Sequence, residues 1–221
     1  MAQFILPNIH SEQNPLRILG PAGEIFEFIR TGHSTGGKFI MSKTIVPPGV
    51  GPTPHLHHST DEWFYTPNGG IVLFMGQNEY SDICNEPGNN TKKEKLYATN
   101  MGINELIYVP RNHVHAFINN TDKEQLLYMI WTPDTEDVSI LNYFKSVGQE
   151  VTDINNIPTI EPLAKLRFVS EAPKFGINQS HDFWQYVEKV DYSSTPMDSN
   201  SDTLSRLLKD SESFLIADIL V

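Results

Sequence analysis

The chain has 221 residues, 16 basic against 27 acidic, for a formal charge of -11. That length allows one domain with an extension or two small ones, and the acidic balance argues against nucleic acid or an anionic membrane as a partner. Cys84 is the single cysteine, so no intramolecular disulfide and no cysteine-based zinc finger can form within these residues.

The first residues, MAQFILPNIHSEQ, lack a basic n-region and carry too short an apolar run for a signal peptide. No later stretch is long enough to span a membrane, and a soluble, cytoplasmic protein is expected. From Phe26 to about Trp131, short β-rich runs alternate with turn clusters, as in an antiparallel sandwich. The expected strands are EIFEFIRT, GKFIMSKTIV, EWFYTP, IVLFMG, ELIYVP, HAFIN and QLLYMIW. Pro47, Pro48, Pro52 and Pro54 crowd the approach to His55 and forbid a long ladder there. Asn68-Gly69-Gly70 marks a tight turn. The polar segment from Gln77 to Asn100 reads as an enlarged hairpin or insertion, and its lysines Lys92, Lys93 and Lys95 are diluted by Glu94, as in a solvated loop.

After Pro133 the pattern becomes helical. Asp134 is placed to cap a helix with Glu136 and Asp137 in its first turn and Val138, Leu141 and Phe144 on a common side, stopping at Gly148. A second helix is expected from Pro162, with Leu163, Leu166 and Val169 as its apolar stripe and Pro173 as its end. A third candidate covers Leu204 to Leu208. The division expected is a β-domain over residues 1–133 and a C-terminal helical extension over 134–221.

The chemistry concentrates in two places. In GVGPTPHLHHSTDEWFYTPNG, His55 and His57 stand at i and i+2, so on a strand their rings face the same way and Leu56 faces the other. Glu62 returns on the next strand. In YVPRNHVHAFINN, His115 lies between Pro110 and Asn119. Together these residues offer three imidazoles and one carboxylate, a donor set that suits Fe, Mn, Ni, Co, Cu or Zn as a divalent ion, whereas Mg or Ca would want oxygen throughout. His58 follows His57 and should face away. His113 sits two before His115 and shares its parity, which leaves a second His-x-His pair as an alternative.

These segments resemble the two motifs of the cupin superfamily. Gly49, His55, His57, Glu62 and Gly69 fill the first, and Pro110, His115 and Asn119 fit the second. Two positions depart from it: Asn112 replaces a turn glycine, a mild change because Asn tolerates the left-handed conformation, and Gly102 lies two residues too far upstream, which implies a looser or longer turn. The resemblance implies an all-β fold, a double-stranded β-helix or jelly-roll barrel followed by the helical extension, with His55, His57, Glu62 and His115 as metal ligands. It favours His115 over His113 and makes Asn119 a residue that satisfies backbone groups.

The stretch GGKFIMSKTIVPPGVGPTPHLHHSTDEWFY further resembles the single-barrel quercetin dioxygenase-like group. That resemblance implies a metal-dependent dioxygenase acting on a flavonol-like or other enolic aromatic substrate, with Glu62 as ligand or as the base that takes the substrate's proton. Phe64, Phe117, Tyr128 and Met129 are the expected walls of the substrate pocket. A non-oxidative metalloenzyme (isomerase, lyase or decarboxylase) and a non-catalytic small-molecule-binding cupin are the competing expectations. Exposed sheet edges make a homodimer the expected assembly.

Overall fold

A computed structural model describes residues 14–84, 95–135 and 139–180. Its strands are β1 (Leu16–Leu19), β2 (Ile25–Arg30), β3 (Ile40–Val46), β4 (His55–His57), β5 (Asp61–Thr66), β6 (Ile71–Glu79), β7 (Leu96–Asn100), β8 (Glu105–Val109), β9 (His113–Asn119), β10 (Gln125–Thr132), β11 (Gln149–Glu150) and β12 (Ile177–Gln179). They form two antiparallel sheets, one of seven strands in the order β11-β1-β2-β3-β10-β5-β8 and one of five in the order β12-β4-β9-β6-β7. Helices are few: α1 (Gly32–Thr35), α2 (Ile140–Val147) and α3 (Ala164–Glu171). The result is the expected all-β barrel of the double-stranded β-helix type.

The strand alternation read from the sequence decides which side chains meet between the sheets. Phe64 on β5, Leu73 on β6, Phe117 on β9, and Leu127, Met129 and Trp131 on β10 share one core cluster with Phe26 and Phe28 of β2. Each apolar side chain buried this fully is worth roughly 1.5–3 kcal/mol. The alternate residues face outward: Leu56, Phe74, Val114 and Ala116 cluster on the far side of the five-stranded sheet, and Met41, Trp63 and Ile130 on the far side of the other.

Turn chemistry sets the strand ends. Gly69 has φ of 73°, and a Cβ there would stand 3.1 Å from the Met101 carbonyl oxygen, so glycine is required. Asn112 takes φ of 66°, as its tolerance of that region predicts. The turn before β8 is not looser, as Gly102 had suggested. Asn104, two residues later and at the motif's own spacing, takes φ of 58° and does the work of the missing glycine. Asn119 satisfies backbone groups as expected, donating through Nδ2 to the carbonyls of Val46 at 2.9 Å and Lys123 at 2.6 Å.

The segment after Pro133 differs from expectation in three ways. Ser139, not Asp134, caps α2, its side chain accepting from the Asn142 amide. The buried residues of α2 are Ile140, Tyr143, Phe144 and Val147. In α3 the stripe is Ala164 and Phe168, whereas Leu163 and Leu166 are each 62 % exposed, because the face that meets α2 is set by where Tyr143 docks. The Tyr143 hydroxyl donates to the Phe168 carbonyl at 2.6 Å. As expected, α3 ends just before Pro173, at Glu171, and Pro173 itself sits in the first turn of a 3-10 segment, Ala172–Phe175, where its missing N–H costs nothing. Beyond the helices, this segment adds β11 beside β1 and β12 beside β4. The expected helix at 204–208 lies outside the described residues.

Candidate metal centre

His55 and His57 point inward from the three-residue strand β4, and His115 lies directly across from His55 on β9. Glu62 comes from the other sheet, on β5, where Trp131 of β10 and Val109 of β8 flank it. The site therefore bridges the two sheets, with the histidines on one and the carboxylate on the other. One ligand atom from each of His55, His57, Glu62 and His115 can be chosen so that all lie within 4.8 Å of one another. His57, Glu62 and His115 are buried and His55 is half-buried.

Hydrogen bonding orients the rings. His55 Nδ1 lies 2.9 Å from the Thr53 carbonyl and His115 Nδ1 lies 3.0 Å from the His113 carbonyl. A carbonyl only accepts, so each Nδ1 carries a proton and each ring turns its Nε2 inward. For His115 that nitrogen meets Glu62 Oε2 at 2.9 Å. Two acceptors at this distance repel unless a proton or a cation stands between them. His57 Nε2 comes within 3.1 Å of the same oxygen, yet neither of its ring nitrogens makes a hydrogen bond of good geometry in this buried setting. Unpaired buried nitrogens, inward Nε2 atoms and a shared carboxylate are what a bound divalent ion would resolve.

The electrostatics agree with that donor set. Burial, reinforced by the neighbouring His115 and His57, lowers the His55 pKa from 6.5 to about 3. Burial likewise lowers that of His57, against the pull of Glu62. For Glu62, burial favours the protonated form, but the His115 and His57 imidazoles beside its carboxylate outweigh that and hold it at about 2. These three groups are therefore ready in the ionisation states that ligands need, neutral imidazole and carboxylate.

A cavity of about 160 Å³ opens onto His55, His57 and Glu62. Phe64, Phe117 and Met129 line it, with the Phe64 ring 5.9 Å from those of His115 and Phe117 and edge-on to both. Tyr128 does not line it. Adjacent to Met129 on one strand, it must face the opposite way, and it packs outside against Tyr65, ring to ring at 5.8 Å. His58 pairs with Asn112 Oδ1 at 3.1 Å and His113 with the Gly76 carbonyl at 3.2 Å, so neither joins the cluster. Trp131 is a wall that the parity of Met129 would have found, and its buried indole N–H has no partner among the described residues. Phe26, Glu24, Phe144 and Gln179 also line the cavity. They come from segments whose return to the site has no local signal.

The Cupin family profile matches residues 34–155, which span β3 to β11 and all four candidate ligands. The chain belongs to the cupin family. Among solved structures, this cupin is similar to an oxalate oxidase in complex with the substrate analogue glycolate, at 19% identity over 51% of this chain and 52% of that one, with a TM-score of 0.39. It is similar to the capsular polysaccharide assembling protein CapF from Staphylococcus aureus at 19% identity over 56% of this chain and 30% of that one, TM-score 0.39. To KdgF from Halomonas sp. the identity is 11%, over 62% of this chain and 98% of that one, TM-score 0.39. The cupin thus spans about half of the oxalate oxidase chain and less than a third of CapF. No curated protein sequence matches it. Among the described residues, no helix is long and apolar enough to cross a membrane.

Proposed function

We propose that this cupin is a metal-dependent dioxygenase acting on a flavonol-like or other enolic aromatic substrate. The observation that supports this reading is the cavity itself: its metal-ready cluster opens between Phe26, Phe64, Phe117, Trp131 and Phe144, walls suited to a flat aromatic ring. A first-row divalent ion held by His55, His57, Glu62 and His115 would supply a Lewis-acidic centre with open positions for an enol oxygen and for dioxygen.

The chain's own groups would perform the remaining tasks. Glu62, ionised at neutral pH, is the acceptor for the proton that the substrate's enol must give up. Phe64 and Phe117, edge-on to each other at 5.9 Å, would offer aromatic contact to the substrate ring and keep water from the reacting carbons. The unmet Trp131 N–H is a donor for an oxygen substituent on the ring.

The test is oxygen uptake by protein loaded with each of Fe, Mn, Ni, Co, Cu and Zn in turn, with and without 3-hydroxyflavone. Flavonol-dependent uptake in at least one form, absent in His115→Ala, is the expected result. Turnover that persists without oxygen would replace this reading with a non-oxidative isomerase, lyase or decarboxylase. Saturable binding with no turnover in any form would replace it with a binding cupin.

We also propose a homodimer. The half-buried aromatic side chains on the outer face of the seven-stranded sheet, Tyr65, Tyr108 and Tyr128, support pairing through that face. Light scattering that gives the mass of one chain at micromolar concentration would sink it.

A further inference from the structure

Gln179 on β12 lies directly across from His55, and His55 lies directly across from His115. Residues directly opposed on neighbouring antiparallel strands share a face. The row His115, His55, Gln179 therefore crosses three strands on the inner surface of the five-stranded sheet, and Gln179 lines the same cavity as His55, His57 and Glu62. Its carboxamide Oε1 is buried and has no hydrogen-bond partner among the described residues. The neighbouring amide, Asn178, faces the other way and donates to the Ile83 carbonyl at 3.2 Å. The strand thus satisfies its outward amide and leaves its inward one unmet beside the metal cluster, where an unpaired buried polar group calls for a partner.

We infer that Gln179 is a positioning residue for the ligand of this centre, and that this ligand carries oxygens on two adjacent carbons, one directed at the metal and the other hydrogen-bonded by Gln179. One strand spacing, about 4.8 Å, separates Gln179 from His55, so the oxygen that reaches the amide sits close beside the oxygen at the metal. A carbonyl accepts from the amide N–H and a hydroxyl donates to the amide oxygen, so either orientation of the carboxamide serves a vicinal hydroxy-carbonyl or enediol. An amide exchanges no proton at neutral pH, which confines Gln179 to holding and orienting. This inference rests on the flavonol-like reading and adds the residue that recognises the oxygen next to the enol.

Cobalt(II)-loaded protein gives a visible absorption spectrum that shifts when a ligand enters the metal's coordination sphere, independently of turnover. The natural protein, Gln179→Leu and Gln179→Met are titrated with 3-hydroxyflavone and with azide, which binds a metal without a vicinal oxygen. Gln179→Met keeps the side-chain length should the leucine variant fail to fold. The expected result is unchanged cobalt content and azide affinity, with 3-hydroxyflavone affinity lowered about tenfold, the loss of a single hydrogen bond. Variants that keep the natural 3-hydroxyflavone affinity, or lose azide and flavonol affinity equally, overturn the role of Gln179 and leave the flavonol reading standing. A natural protein that binds cobalt and azide but not 3-hydroxyflavone overturns the flavonol reading and the vicinal-oxygen ligand with it.

Discussion

His115 Nε2 lies 2.9 Å from Glu62 Oε2, although the two residues are 53 positions apart and belong to different sheets. Because His115 Nδ1 donates to a backbone carbonyl, it is Nε2 that the ring presents to the carboxylate. Glu62→Gln replaces that acceptor with an amide that can donate to Nε2. Metal affinity is expected to fall by more than about 100-fold, beyond the range typical of outer-shell partners, and the metal-free protein to lose Tm at pH 7, where the ionised carboxylate contributes stability. Elemental mass spectrometry and thermal unfolding check the two halves. A variant that holds its metal as tightly as the natural protein would remove Glu62 from the ligand set.

The metal-free protein should lose stability in acid. Burial first, then the neighbouring imidazoles, lowers the His55 pKa to about 3 from 6.5, and Glu62 is held at about 2 from 4.5. In both cases the unfolded chain binds protons more readily than the folded one, so stability is full above the unfolded values and declines as pH falls. The decline should begin near pH 6.5 with His55, steepen near 4.5 with Glu62, and continue toward 3. Tm measured in chelator from pH 7 to pH 4 tests this, and a flat profile would contradict it.

Glu24 should behave in the opposite sense. It is 3 % exposed at the edge of the cavity, and burial raises its pKa against two backbone hydrogen bonds. A raised carboxyl stabilises the fold at low pH and loses that contribution as pH rises through the folded value. Glu24→Gln, which keeps an acceptor for the Ala22 amide, is expected to raise Tm at pH 7 and to leave it unchanged near pH 4. An equal shift at both pH values would show that ionisation is not the cause.

Much of the barrel was legible because alternation is local: β3, β5, β6, β8, β9 and β10 each contain or overlap a run marked by its β-branched and aromatic residues. The histidine pair of the candidate quartet was legible for the same reason, since His55 and His57 must share a face on any strand. Three things were not. Asn104 does the work of a glycine, visible only from its φ of 58°. Ser139 caps α2 where Asp134 had the better sequence context, because tertiary docking of Tyr143 and Phe144 places the helix start. β12 has three residues and no pattern of its own, and it exists through its pairing with β4.

The Tyr128 and Met129 pair offers a clean check of that alternation. Tyr128→Phe alters the outer face and is expected to leave 3-hydroxyflavone binding unchanged, with stability within about 0.5 kcal/mol. Met129→Ala enlarges the cavity and should cost about 2–5 kcal/mol along with a change in flavonol affinity. Denaturant unfolding and fluorescence titration measure both. A ligand-binding defect in Tyr128→Phe would mean that the tyrosine reaches the cavity after all.

The segment beyond the family match completes the barrel wall. The profile ends at residue 155, yet β12 at Ile177–Gln179 lies against β4, and Ile177 is paired with His57 and 1 % exposed. Among the described residues, backbone pairing to β12 covers that edge of the histidine strand, since β4 has β9 on its other side. Ile177→Ala should therefore cost about 2–5 kcal/mol and weaken metal retention without removing any ligand, because β4 loses the packing that holds His57 in place. Ile154→Ala, at a residue 42 % exposed, is the matched control and should stay within about 0.5 kcal/mol. Urea unfolding with metal content measured on the same samples reads both effects. A neutral Ile177→Ala would show that the histidine strand is held by β9 and its turns alone.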